Sequence, residues 1–69
     1  MLYTKRIQRN GYIEVKTVDE NGNFHLYHET KNEKGETVKF SEHRDTIFKM
    51  GWHSVEEFLK ERMKGYKTE

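Results

Sequence analysis

The sequence predicts an α+β domain: a three-stranded antiparallel β-meander, four-stranded if the N-terminus joins it, followed by two short C-terminal helices packed on one face of the sheet. Two glycine-centred segments predict the meander. Asp19-Glu20-Asn21-Gly22-Asn23 and Asn32-Glu33-Lys34-Gly35-Glu36 each set a residue that accepts φ > 0 between runs of β-formers, as hairpin turns require. A change of period after Phe40 predicts the helices. On this reading residues 1–69 are a single small domain: 1–10 a basic arm or edge strand, 11–40 the meander, 41–66 the two helices and 67–69 a tail.

From Tyr12 to Val18 apolar and polar residues alternate, the mark of a strand with one apolar face. A two-residue Asn21-Gly22 turn would pair Glu20 with Asn23 and set Ile13, Val15 and Thr17 on the face of Phe24 and Leu26. Tyr12, Glu14, Lys16, Val18, His25, Tyr27 and Glu29 would then share the other face. A three-residue Glu20-Asn21-Gly22 loop with a bulge reverses that parity; the shorter turn is preferred because it gathers the aliphatics on one side. The second turn favours Glu33-Lys34-Gly35 as a type I turn with Gly35 left-handed, which pairs Asn32 with Glu36, Thr30 with Val38 and His28 with Phe40. The expected core face is Ile13, Val15, Phe24, Leu26, Val38 and Phe40. Leu2, Tyr3 and Ile7 lie among basic residues, and the first ten residues either add a fourth strand or remain an arm.

Ser41 can cap a helix running to about Met50, with Ile47 and Phe48 as its apolar contacts, and Gly51-Trp52 then supplies a C-terminal stop and a hydrophobic latch. Ser54-Val55-Glu56-Glu57 has the form of a capping box. Behind it Val55, Phe58, Leu59 and Met63 make a helical stripe, and Gly65-Tyr66 repeats the stop and latch.

Only 32% of the residues are apolar, and there is no Ala, Cys or Pro, so a core this small has neither disulfides nor rigid loops behind it. A symmetric homodimer, through an aromatic sheet face or the edge strand around Val38–Phe40, would bury surface that one copy leaves exposed. The absence of cysteine fits a reducing cytoplasm. No apolar run approaches the ~18 residues of a membrane span, so no membrane partner is expected.

Thirteen Lys and Arg against twelve Asp and Glu give a net charge of +1, far from the excess of a dedicated nucleic-acid binder. Charge is nonetheless local. Residues 1–16 hold Lys5, Arg6, Arg9 and Lys16 against Glu14 alone, whereas residues 17–30 hold Asp19, Glu20 and Glu29 with no Lys or Arg.

Four histidines raise the question of a metal, but His25 and His28 lie three apart and a strand turns such a pair to opposite faces, so no metal or other cofactor is expected. Catalysis is equally unsupported. Ser41 and Ser54, the only serines, are explained as helix caps, and Glu56, Glu57 and Glu61 share a polar helix face with Lys60 and Lys64. What remains is a surface. Tyr12, His25 and Tyr27 on the outer sheet face, together with Trp52 if it is not a buried latch, have the composition of an interface hot spot, although cross-strand rings also stabilise sheets that bind nothing. The favoured expectation is a non-enzymatic protein-binding module. Accessory regulators and inhibitors of this kind, including those that bacteriophages and mobile elements encode, block or reposition a protein partner sterically. The alternative is nucleic-acid binding by the sheet face with Lys5, Arg6, Arg9 and Lys16 on the phosphates, opposed by Glu14 and Glu29 on the same face.

Overall fold

Each strand in the first half of the chain stops at a glycine that turns it back. A computed structural model describes residues 2–62 and 65–68. Its elements are β1 (Leu2–Gln8), β2 (Ile13–Asp19), β3 (Asn23–Lys31), β4 (Thr37–Thr46), α1 (Val55–Arg62) and β5 (Lys67–Thr68). All five strands form one antiparallel sheet in the order β4-β3-β2-β1-β5. The expected meander with two helices is therefore corrected to a five-stranded sheet with a single helix.

The two pentads fold as the same loop. Asp19 accepts hydrogen bonds at Oδ1 from the backbone N–H groups of Asn21 and Asn23, both at 2.9 Å, and Asn32 Oδ1 accepts from those of Lys34 and Glu36, also at 2.9 Å. Gly22 and Gly35, at φ 86° and 80°, occupy the left-handed position in each. The second turn has the expected geometry and register. The first does not. Its three-residue loop pairs Val18 with Phe24, Val15 with Tyr27 and Thr17 with His25, so the parity is reversed. Ile13, Val15 and Thr17 lie on the face of His25 and Tyr27, and the expected six-residue core face does not exist.

The N-terminal segment supplies a strand, Leu2–Gln8. Asn10-Gly11 forms the turn that joins β1 to β2, with Gly11 at φ 87° and the Arg9 N–H bonded to the Tyr12 carbonyl at 2.9 Å. On the other side of β1, Thr68 and Lys67 pair with Tyr3 and Thr4, so the described residues of the expected tail form an edge strand, while Glu69 lies outside the described residues.

The expected helix from Ser41 to Met50 is strand β4 followed by a turn. Residues 41–46 are polar and provide no apolar stripe, while the nine residues of β3 present backbone groups along their whole length that need a partner. β4 meets that demand by running on past a bulge, where Ser41 and Glu42 oppose Tyr27 alone. Ser41, at φ 55°, is thus the bulge residue rather than a cap. Gly51 ends a turn, not a helix: the N–H groups of Met50 and Trp52 both reach the Ile47 carbonyl, at 3.1 Å.

α1 forms where expected. Ser54 Oγ accepts the Glu57 N–H at 3.0 Å, and Glu56 and Glu57 in the first turn and Lys60 and Arg62 in the last complement the helix dipole. Phe58 and Leu59 face inward, while Met63 of the expected stripe lies outside the described residues. Val18, Ile47, Phe58 and Leu59 are the buried centre, with Tyr3, Phe24, Trp52, Val55 and Tyr66 packed around them. Tyr3, Val18 and Phe24 are cross-strand neighbours on one face, so α1 covers only the end of the sheet near the first hairpin loop. The molecule measures 42 × 21 × 20 Å. Its far end is a single layer.

Candidate functional site

The reversed parity separates the expected patch. Tyr12 stands on one face with His28 and Phe40, at ring-centroid distances of 4.7 and 6.0 Å, and His28 lies 5.3 Å from Phe40. His25 and Tyr27 stand on the other face, 4.9 Å apart. Trp52 belongs to neither. It lies half-buried with its ring edge-on to Phe58 at 5.4 Å, as the latch its glycine neighbour suggested.

On the second face Tyr27 and Val15 are buried although no helix covers them. Arg6 reaches from β1 over β2 to Glu29 on β3, at 3.0 Å, and Lys39 Nζ sits 4.7 Å from the centre of the Tyr27 ring. These long side chains roof the pair. His25 Nε2 is buried there and has no hydrogen-bond partner among the described residues. Burial, and then the positive charge of Arg44 opposite it, hold the imidazole below its ordinary pKa, so it is a neutral packing residue.

The basic residues of the N-terminal segment are likewise divided. Arg6 is taken by Glu29 and Arg9 by Glu14, at 3.3 Å. Lys5 and Lys16 are different: they face each other across β1 and β2, on the face that α1 covers. There a cleft of about 450 Å³ opens between sheet and helix, lined by Lys5, Lys16, Arg62, Phe24, Trp52 and Tyr66, with Phe58 beneath. No carboxylate lines it among the described residues. Arg62 and Tyr66 were invisible to sequence reasoning as site residues because only the chain's return past β1 brings them beside Lys5.

The far end of the first face carries the other distinctive surface. Tyr12, His28 and Phe40 form a ring cluster, with Val38 next to Phe40 on β4. Phe40 is 39% and Val38 41% exposed, high for large apolar residues in a strand. Glu14 anchors the cluster's edge, 3.8 Å from His28 Nε2 and 3.8 Å from Lys16 Nζ. β4 is the outermost strand, so its ten residues leave one row of backbone donors and acceptors without a strand partner among the described residues.

No group of three or more His, Cys, Asp or Glu side chains able to hold a metal ion occurs among the described residues, and His25 and His28 indeed lie on opposite faces. No described helix is long and apolar enough to cross a membrane. Fold and surface together define a small antiparallel-sheet domain with one capping helix, a ring cluster beside an open edge strand, and a separate cationic cleft. No family model, curated protein or solved structure matches the chain.

Proposed function

We propose that the chain is a non-enzymatic protein-binding module whose working surface is the open edge of β4 together with the Tyr12–His28–Phe40 cluster beside it. One observation carries the reading: a ten-residue edge strand displays Val38 and Phe40, both about 40% exposed, next to two further rings. An extended segment of a partner can add to that edge by main-chain hydrogen bonds, while Phe40 and Tyr12 supply rigid anchors for its side chains. The Ser41 bulge limits the usable edge to the Thr37–Phe40 half, because a bulge twists the strand away from a flat template. The effect on the partner is steric, as for an inhibitor or accessory regulator working in a reducing cytoplasm.

Of the residues singled out in the sequence, Tyr12 lies on this surface, whereas His25 and Tyr27 lie on the opposite face and Trp52 lies at the cleft beside α1. A second copy of the chain is one partner that fits, since twofold pairing of two such edges continues the sheet. Phe40→Asp tests the reading. Phe40 is 39% exposed and lies outside the buried centre, so the variant should keep a native circular dichroism spectrum with a modestly lower melting point from the lost ring contacts, and association with itself or a captured partner should weaken by at least about 2 kcal/mol. Unchanged association by the folded variant would reject this surface.

A further inference from the structure

We infer that the cleft between α1 and the sheet seats a segment of single-stranded nucleic acid, with phosphates against Lys5, Lys16 and Arg62 and a base against Trp52 and Tyr66. This site is distinct from the protein-docking edge and does not depend on it. The first support is charge. Three cations line the cleft with no carboxylate among its described lining residues, and neither Lys5 nor Arg62 has an ion-pair partner among the described residues. Lys5 and Lys16 are direct cross-strand neighbours, like charges that oppose pairing; Glu14 reaches Lys16 at 3.8 Å, and an anion bound in the cleft would relieve Lys5 as well.

The second support is the placement of the rings. Lys5 Nζ lies 5.9 Å from the centre of the Tyr66 ring and Arg62 Cζ 5.7 Å from that of Trp52, at the outer limit of a cation–π contact. Cations and ring faces are thus neighbours without being closed on one another, which matches the alternation of phosphate and base along a strand. An acidic peptide would satisfy the cations but offers no flat face to the rings. A free nucleotide would need most of its surface enclosed, and this cleft is open to solvent. A duplex hides its bases from a side-on cleft.

Trp52 is the only tryptophan, so its fluorescence reports this site alone. The full chain should be titrated at low salt with short oligothymidylate and oligoadenylate, a duplex of the two, thymidine monophosphate, and polyglutamate. The single strands should change Trp52 emission and bind more tightly than every other probe, with log affinity falling against log salt at a slope of roughly −2 for three contacts. The Lys5→Gln/Lys16→Gln variant should lose at least about tenfold in affinity and show a shallower slope, with an unchanged or higher melting point. The inference is overturned if no single strand perturbs Trp52, if duplex, mononucleotide or polyglutamate binds as tightly, or if the folded double variant binds normally.

Discussion

Lys5 and Lys16 stand directly opposite each other on β1 and β2, two like charges that line the cleft together with Arg62 of α1. Glu14 relieves Lys16 at 3.8 Å, but no described carboxylate relieves Lys5. Like charges in this position oppose pairing of the strands. Lys5→Gln should therefore raise unfolding stability in urea by roughly 0.2–1 kcal/mol. Added salt should stabilise the parent chain more than the variant, because screening acts on the same repulsion. A Lys5→Gln chain less stable than the parent would show that the Lys5 stem matters more as cover for Tyr66 than its charge costs.

The twin hairpin loops differ in what surrounds their glycines. A Cβ at Gly35 meets nothing within 4 Å, whereas at Gly22 it would lie 2.6 Å from a Phe48 ring carbon and 3.3 Å from Ile47 Cγ1. Gly35→Ala should cost roughly 1–2 kcal/mol, the left-handed penalty alone. Gly22→Ala should cost about 1–3 kcal/mol more, since Ile47 is fully buried and also donates its N–H to the Gly22 carbonyl at 2.9 Å. Urea denaturation of the two variants measures the difference directly.

His25 makes stability depend on pH in a definite direction. Its folded pKa is depressed by burial and by Arg44, so folding favours the neutral ring. The contribution is complete above the ordinary value of 6.5 and is lost as pH falls through the lower folded value. Melting curves should therefore move to lower temperature in mildly acidic buffer. His25→Gln should flatten that dependence. A second loss at lower pH belongs to Asp19, whose carboxyl is held below 3.8 chiefly by the Asn23 side chain and by backbone N–H groups of its loop.

Ser41 is the one described residue other than glycine with positive φ. Ser41→Gly removes a left-handed penalty of roughly 1–2 kcal/mol and adds about 0.5–1 kcal/mol of glycine entropy. The net expectation is a chain as stable as the parent or up to about 1.5 kcal/mol more stable. Ser41→Val should be clearly destabilised, because a β-branched side chain tolerates this conformation least.

The strengths and failures of sequence reasoning fall on particular residues. Gly35, fourth in its pentad after Asn32, marks the second loop and its register correctly, and the same spacing from Asp19 to Gly22 marks the first. A shorter first turn would gather all aliphatics on one face. The sheet instead buries Val18, with Phe24 half-buried beside it, under α1, and buries Val15 on the opposite side, where Arg6, Tyr27 and Lys39 surround it. Asn10-Gly11, a hairpin signal as strong as the other two, identifies β1 once it is weighed. The second half of β4 leaves no alternation to read, because residues 41–44 are exposed and both faces are polar. Ser41-Glu42 also imitates a helix cap. Of the candidate sites, Lys5 and Lys16 were legible from local charge and Tyr12 from ring content, but which rings share a face depends on a one-residue register that composition does not carry.

If β4 is the docking edge, as we propose, site-specific photo-crosslinking should trap its occupant there. A benzophenone amino acid placed at Phe40, in cells that make the chain, should yield a discrete protein adduct on irradiation. Its mass would distinguish a second copy from a foreign protein. The same probe at Lys60, exposed on the outer surface of α1, should yield none. An adduct from Lys60 with none from Phe40 in a folded chain would contradict the claim.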